Sequence, residues 1–345
     1  IMILGIISLR MISSSGAQRP AMPSLPQFVT KYDRSSIPHA HAHARVPAAD
    51  VAPVPAPAST NASHPRYCRD LALPADGQKT TLAVVRTHSP TRGMLQRMAE
   101  FAADLQRHPW LSLMLMTSLD DTGLEDAEDT VEKVEAIPHI IFHRTNTAKV
   151  KKEYPVWNSL LYLASGYETH MEFILLAVDQ VRRTGQLRDN CFVWVFEDDI
   201  GICGNMSELI ASYGNDTTDF IGSFNLGKAE EGWVVAEEGS EAFLNAYPFG
   251  KRWHCYEHVE RFSVRFLLHL DDLIRNKGIT AMSEMFPATI CMNSNEFSCS
   301  VLDKQHRFPY DYFSYLSRVD KAKWEEICPP GECHSPPRVA HALKW

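Results

Sequence analysis

The strongest fold signal in the sequence is the ten-residue stretch Phe192-Val-Trp-Val-Phe-Glu-Asp-Asp-Ile-Gly201. Its first five residues are all β-branched or aromatic, which is typical of a fully buried central strand. Three consecutive carboxylates follow directly: Glu197, Asp198 and Asp199. Ligands of open α/β sheets bind in the crevice outside the carboxyl ends of the strands. The three carboxylates are therefore predicted to lie at a binding site.

Three adjacent carboxylates repel one another and raise each other's pKa unless a cation neutralises them. Oxygen ligands favour a hard ion such as Mg²⁺ or Mn²⁺, which proteins often share with a phosphate. The alternative is an acidic turn that caps the next helix, because Asn205-Met-Ser-Glu208 could begin one. We favour the metal site.

Strand and helix patterns alternate along residues 81–222, which predicts an α/β fold with a mostly parallel sheet flanked by helices. After residue 225 the pattern is less regular, and a long helix ended by Gly278 is its clear element. This point could separate a nucleotide-binding half from an acceptor half. The predicted strands are 81–85, 111–116, 137–142, 192–196 and 218–222, and the predicted helices are 92–107, 170–183 and 256–277.

Composition limits the classes of function. The 345 residues suffice for two average domains or one large α/β domain, and 45% hydrophobic with 22% charged residues is ordinary for a globular protein. The net charge is −8, and no block rich in lysine or arginine occurs. Binding to nucleic acid is therefore disfavoured.

The N-terminal fifth differs from the rest. Residues 1–16 begin with an apolar run, which fits the tail of a signal peptide or a truncated membrane anchor. Residues 17–66 are rich in proline, alanine, serine and histidine, which predicts a disordered stem. A catalytic domain over about 78–320 and a tail over 321–345 complete the predicted layout, that of a lumenal enzyme tethered to a membrane by its N-terminus alone.

The cysteine count agrees with a secretory compartment. Eight cysteines are an even number, and they lack the paired CxxC spacing of a zinc ribbon, so we expect disulfides. Cys328-Pro-Pro-Gly-Glu-Cys333 suggests one small disulfide loop.

The order of these features resembles the GT-A glycosyltransferases, over roughly residues 80–310. In that family a DxD-type motif ends a central strand and holds a divalent metal against a sugar-nucleotide diphosphate, and Glu197-Asp198-Asp199 occupies that place here. The resemblance implies Mn²⁺ or Mg²⁺, a nucleotide-sugar donor and a glycan or glycoprotein acceptor. The apolar N-terminus and the stem resemble those of Golgi type II transferases, which implies a Golgi or other secretory-pathway membrane. Because the first acidic residue is Glu rather than Asp, we favour Asp199 with Glu197 as metal ligands and Asp198 as a donor contact.

Other polar residues at strand ends are candidates for donor binding. Arg86 follows the first strand and Lys149 the third, so both could stabilise a departing diphosphate; a solvated basic turn is the alternative for Lys149 and its neighbours. Asp120 and Asp121 follow the second strand and could bind ribose or base, as an acid does in dinucleotide folds. A strand-final acid also commonly caps a helix.

A general base for the acceptor hydroxyl is expected after residue 225. Glu284 is preferred over Glu257 and His258, because its apolar neighbours would raise its pKa. It could instead cap a helix with Ser283. His254 and His258 are four residues apart on the predicted helix and could share a metal, but two ordinary helix histidines are the favoured reading.

Two other classes remain open. A metal-dependent hydrolase or phosphotransferase could use the same carboxylates, although no P-loop, GxSxG, HExxH or kinase motif occurs. A non-catalytic protein on a transferase-like fold is the third possibility, because fold does not determine function.

Overall fold

A computed structural model of the chain describes residues 81–343 apart from nine gaps, at 88–90, 106–110, 119–131, 138–139, 160–168, 189–190, 230–235, 314–317 and 330–335. All described residues belong to one compact unit, residues 62–345. The predicted anchor and stem, as well as Asp120, Asp121 and Cys333, lie outside the described residues.

A seven-stranded sheet forms the centre of the unit, in the order β10-β6-β9-β4-β1-β2-β3. Every neighbouring pair is parallel except the two that β9 makes with β4 and β6. Two small sheets pair β5 with β11 and β7 with β8. The strands are β1 (Thr81–Thr87), β2 (Leu111–Ser118), β3 (Ile140–Thr145), β4 (Phe192–Glu197), β5 (Gly201–Cys203), β6 (Phe220–Gly222), β7 (Gly227–Lys228), β8 (Trp253–His254), β9 (Val259–Ser263), β10 (Cys299–Val301) and β11 (Arg338–Ala340).

Helices cover both faces of the sheet. Successive side chains of a strand point to opposite faces, and in the central strands the side chains on both faces are apolar and have to be buried. Val193 and Val195 of β4 face one hydrophobic cluster, and Trp194 and Phe196 face the other. The first cluster includes α3 and α6, and the second includes α1 and α4. The predicted α/β fold with a mostly parallel sheet is thereby confirmed. The helices are α1 (Arg92–Leu105), α2 (Thr147–Glu153), α3 (His170–Arg183), α4 (Met206–Ser212), α5 (Glu241–Ala246), α6 (Val264–Lys277), α7 (Phe286–Met292) and α8 (Lys321–Ile327).

The predicted helix 256–277 is wrong in its first part. Residues 259–263 form β9, which lies between β4 and β6, and the helix begins only at Val264. Glu260 and Arg261 are both buried within this strand, so charged residues obscure its alternating pattern. Ser263 marks the true start of the helix, because its hydroxyl accepts a hydrogen bond from the Phe266 amide at 3.2 Å.

The disulfide prediction is confirmed in kind and wrong in pairing. Cys328 bonds to Cys203 at the end of β5, and Cys291 bonds to Cys299. A loop to Cys333 was expected from proximity in sequence, but the antiparallel pairing of β5 with β11 brings the C-terminal segment back to β5. The Cys203–Cys328 bond closes 125 residues and attaches this segment beside the acidic turn.

Close packing at Gly201 leads to a stability prediction. A methyl group at this position would collide with Cδ1 of Leu343 and would lie 2.9 Å from Cη2 of Trp324. Gly201→Ala should therefore lower the free energy of unfolding by about 1–3 kcal/mol, the usual cost of overpacking. Urea denaturation measures this change.

Gly250 provides the matched control, because a methyl group there meets nothing within 4 Å. Gly250→Ala should change the free energy of unfolding by less than about 1 kcal/mol. Equal effects of the two substitutions would show that the C-terminal segment does not pack against Gly201.

Within the described part of the chain, no helix has both the length and the apolar character needed to cross a membrane.

Candidate active site

The site lies where the adjacent parallel strands β1 and β4 end, with Arg86 of β1 opposite Glu197 of β4. The guanidinium of Arg86 is buried, and its Nη2 lies 2.7 Å from Oε1 of Glu197 and 3.0 Å from Oε1 of Glu257. The next residue of β1, Thr87, donates a hydrogen bond from its hydroxyl to the carboxylate of Asp198. Two of the three predicted carboxylates are thus oriented by the end of the neighbouring strand.

A histidine from the far end of the chain completes the cluster. His341 follows β11 directly, and its Nε2 lies 3.0 Å from Oε2 of Glu197 and 3.2 Å from Oδ1 of Asp199. The Leu343 amide donates to the Asp199 carbonyl at 2.8 Å, which holds the segment against the acidic turn.

A second histidine lies against the first. Nδ1 of His258 is 2.7 Å from Oε2 of Glu197, and the rings of His258 and His341 stack with centroids 3.6 Å apart. Glu197 therefore contacts three cationic or potentially cationic side chains, those of Arg86, His258 and His341.

The charge states follow from these contacts. Burial alone would raise the pKa of Glu197, but His258, Arg86 and the hydrogen bond from His341 hold it well below its usual range. Burial alone would lower the pKa of His341, but its hydrogen bonds to Asp199 and Glu197 raise the pKa to about 10. For His258, burial outweighs its carboxylate partners and lowers the pKa. At neutral pH Glu197 is therefore ionised and His341 is protonated, so a metal ion bound to the His341 nitrogen would displace that proton.

These residues fit a divalent metal ion. Glu197, His258 and His341 each offer one ligand atom, and the three atoms lie within 4.8 Å of one another, the one such group among the described residues. Asp199 adds a carboxylate oxygen next to His341. The buried Nε2 of His258 has no hydrogen-bond partner in the structure. Carboxylate oxygens combined with imidazole nitrogens suit ions such as Mn²⁺ and Zn²⁺.

Glu257, a predicted alternative for the base, lies in a buried ionic network. Its Oε1 contacts Arg86 and also Nδ1 of His170, at 2.9 Å. Burial alone would raise its pKa, but Arg86 and His170 lower it to about 2. This carboxylate is a weak base held between Arg86 and His170.

Glu284 has the opposite electrostatics. Burial and then the charges of Glu257 and Glu197 raise its pKa to about 8. Its carbonyl accepts a hydrogen bond from the Cys255 amide at 2.9 Å, and its carboxylate is close enough to Glu257 and Glu197 to be affected by their charges. The alternative role as a helix cap lacks support, because α7 begins after Met285 without a side-chain capping bond.

Two other candidate residues, Lys149 and His254, lie outside the acidic cluster. Lys149 is exposed in the first turn of α2, where its amide donates to Asn146. His254 lies in β8 with its ring against Tyr256, and His258 precedes β9, so the reading of both as histidines of one helix is wrong. The cause is the misplaced helix start: residues 254–258 connect β8 to β9, and the helix begins only at Val264.

Sequence reasoning missed His170, Thr87 and His341. His341 is 142 residues from Asp199 in a region without a periodic pattern, and only the pairing of β5 with β11 places it at the site. The cysteines are the one signal in the sequence that could have linked the two regions, because Cys328 bonds to Cys203, four residues after Asp199.

No protein-family model and no curated protein matches the sequence. Solved structures with a similar chain arrangement include mouse xyloside xylosyltransferase 1 in its apo form, at 13% identity and a TM-score of 0.40, covering 76% of this chain and 97% of that one. The galactosyltransferase LgtC in complex with donor and acceptor sugar analogues is similar at 9% identity and a TM-score of 0.36, covering 74% and 80%. A 4-diphosphocytidyl-2C-methyl-D-erythritol synthase is similar at 13% identity and a TM-score of 0.36, covering 66% of this chain and 89% of that one.

Proposed function

We propose that this protein is a glycosyltransferase that moves a sugar from a nucleotide-diphosphate donor to a glycan or glycoprotein acceptor, with Mn²⁺ or Mg²⁺ at its acidic turn. One observation carries the proposal: the carboxylates that end a central parallel strand meet His341, and together they form a ligand set for a divalent ion. Such a position at the carboxyl end of a sheet is where nucleotide ligands bind in open α/β folds.

Glu197, Asp199 and His341 would hold the ion, with His258 beside them. A divalent ion there would act as a Lewis acid toward the diphosphate that leaves the sugar. Arg86 orients Glu197 from the neighbouring strand, since its guanidinium joins Glu197 to the buried Glu257. This arrangement fixes the carboxylate before any ligand binds, which favours electrostatic stabilisation.

Glu284 is the proposed general base for the acceptor hydroxyl. A base works best when its pKa is near the working pH, and burial together with the charges of Glu257 and Glu197 gives Glu284 a pKa of about 8. Glu257 is a poor candidate because its pKa is about 2 and its partners occupy it. In this role the carboxylate of Glu284 would accept the proton of the acceptor hydroxyl.

A thermal-shift experiment tests the proposal on the full chain. Mn²⁺ is combined with a panel of UDP, GDP, CDP and ADP, each with and without EDTA. Because a ligand stabilises the state that it binds, the expected result is a higher melting temperature with one of these nucleotides only when Mn²⁺ is present. Stabilisation by Mn²⁺ alone would favour a hydrolase, and no shift with any combination would favour a non-catalytic protein.

We also propose a secretory-pathway location, Golgi or otherwise, with a lumenal catalytic domain. The two disulfides support it, because disulfides persist in oxidising compartments. Thiol titration in denaturant after rapid alkylation of protein from its native source tests this. Eight free thiols would contradict the proposal.

A further inference from the structure

Beside the acidic cluster lies a cavity with a volume of about 370 Å³, which is in the range of small-molecule sites. Three phenylalanines and three cationic residues line it together with Pro309. The phenylalanines are Phe224, Phe308 and Phe313, and the cations are Lys304, Arg307 and Arg338.

Within the part of the chain that the structure describes, the three cations have no ion-pair partner. None of them forms an ion pair with any residue that the structure describes, although the chain as a whole has a net charge of −8. Asp303 is the nearest acid by sequence, but its carboxylate accepts the Gln305 amide at 3.1 Å. Clustered like charges repel one another unless an anion lies between them.

Arg307 is the most constrained of the three. Its Nε is buried and makes no hydrogen bond, and its guanidinium lies 5.8 Å from the ring centroid of Phe224. A buried donor without a partner costs free energy, so an occupant that accepts a hydrogen bond from it would be stabilised. Burial also lowers the pKa of Arg307, although Tyr213, Cys255 and Asp303 act in the opposite direction.

The cavity shares a wall with the candidate metal site. The ring centroids of Phe224 and Phe313 lie 6.2 Å and 5.9 Å from that of His258. Phe313 also forms a β-bridge with His341. A molecule in the cavity would therefore be adjacent to the histidines of the acidic cluster.

We infer that this cavity binds an anionic group, phosphate or carboxylate, of the acceptor, so that the enzyme glycosylates a charged rather than a neutral sugar chain. The inference rests on the proposed transferase function. Every residue of the cavity comes from position 224 onward, whereas a donor diphosphate would meet the carboxyl ends of β1 and β4. Arginine and lysine recognise phosphate and carboxylate through charge-assisted hydrogen bonds, and the phenyl rings would pack against the apolar face of a sugar.

The test measures binding of mannose 6-phosphate, glucuronate and neutral mannose to the full chain by isothermal titration calorimetry, in EDTA. The anionic sugars should bind and mannose should not. The double variant Lys304→Gln/Arg338→Gln, which changes only exposed side chains, should bind the anion about ten-fold or more weakly, the worth of one charge-assisted bond. Binding of mannose 6-phosphate alone identifies phosphate as the recognised group, and binding of both anions identifies their shared charge.

Lys251→Gln/Arg92→Gln is the charge-matched control, because both residues are exposed and line no part of the cavity. It should bind the anions as the wild type does. Equal affinity for mannose and mannose 6-phosphate, or unchanged affinity in the Lys304/Arg338 variant, would overturn the inference. Loss of Mn²⁺-dependent UDP or GDP binding in that variant would also overturn it, by assigning the cavity to the donor. Since the titration is run without metal, failure here is distinguishable from failure of metal-dependent nucleotide binding.

Discussion

His341→Ala should weaken Mn²⁺-dependent binding of the nucleoside diphosphate by about 100-fold or more, since loss even of the partners of metal ligands costs 10–100-fold. The reason is geometric: Nε2 of His341 lies within 3.2 Å of both Glu197 and Asp199, and alanine removes the nitrogen that completes the ligand set. Isothermal titration calorimetry with UDP or GDP, in Mn²⁺ and in EDTA, measures the effect.

His269→Ala is the matched control. His269 lies on α6, where its ring packs against Phe297, and it takes no part in the cluster. It should retain Mn²⁺-dependent binding. His341→Gln is a useful second variant, since an amide keeps hydrogen bonding to the carboxylates but is a poorer ligand than imidazole. Wild-type affinity in both His341 variants would remove this residue from the metal site.

Glu284→Gln should lower kcat by about two to four orders of magnitude, the usual contribution of a general base, while donor affinity is retained. The substitution keeps size and hydrogen bonding but removes the proton-accepting carboxylate. Glu241→Gln, on the exposed start of α5, is the control and should leave kcat unchanged.

The pH profile gives an independent readout of the same residue. A general base acts in its ionised form, and the pKa of Glu284 is raised to about 8, so kcat/KM should increase with pH up to about 8 and then level off. In Glu284→Gln this acidic limb should disappear. Transfer at the wild-type rate, or a limb that persists in the variant, would pass the role to another residue or indicate a mechanism without such a base.

The sheet was predictable because its strands are continuous apolar runs. Residues 192–196 carry no charge and lie at the centre of the sheet, so pattern alone identified β4. The segment 259–263 was misread because Glu260 and Arg261 are buried inside it, one with a raised pKa and the other bonded to Asp216. Their burial depends on tertiary partners that no local pattern reveals.

The site was predictable only where it is local in sequence. Glu197 ends β4, and Asp198 and Asp199 follow it, so the pattern of this strand alone predicted that they lie at its carboxyl end. His341 depends on the pairing of β5 with β11 and on the Cys203–Cys328 bond, both of which join segments more than 100 residues apart. Long-range pairing of this kind is set by packing and chain topology rather than by periodicity.

The central claim, that the acidic turn binds a divalent ion together with a nucleoside diphosphate, is tested most directly by electron paramagnetic resonance of Mn²⁺ titrated with the protein, with and without UDP or GDP. We expect the signal of free Mn²⁺ to fall further with the wild type and the nucleotide than with the nucleotide alone, and to match the nucleotide alone with Asp199→Ala. The melting temperature of that variant without metal should fall by a few degrees, at most about ten, because alanine removes a buried carboxylate partner of His341, so the titration is run well below it. Asp272→Ala, which removes a carboxylate from the surface of α6, should behave as the wild type. If Asp199→Ala binds Mn²⁺ and nucleotide as the wild type does, the metal site is not at this turn.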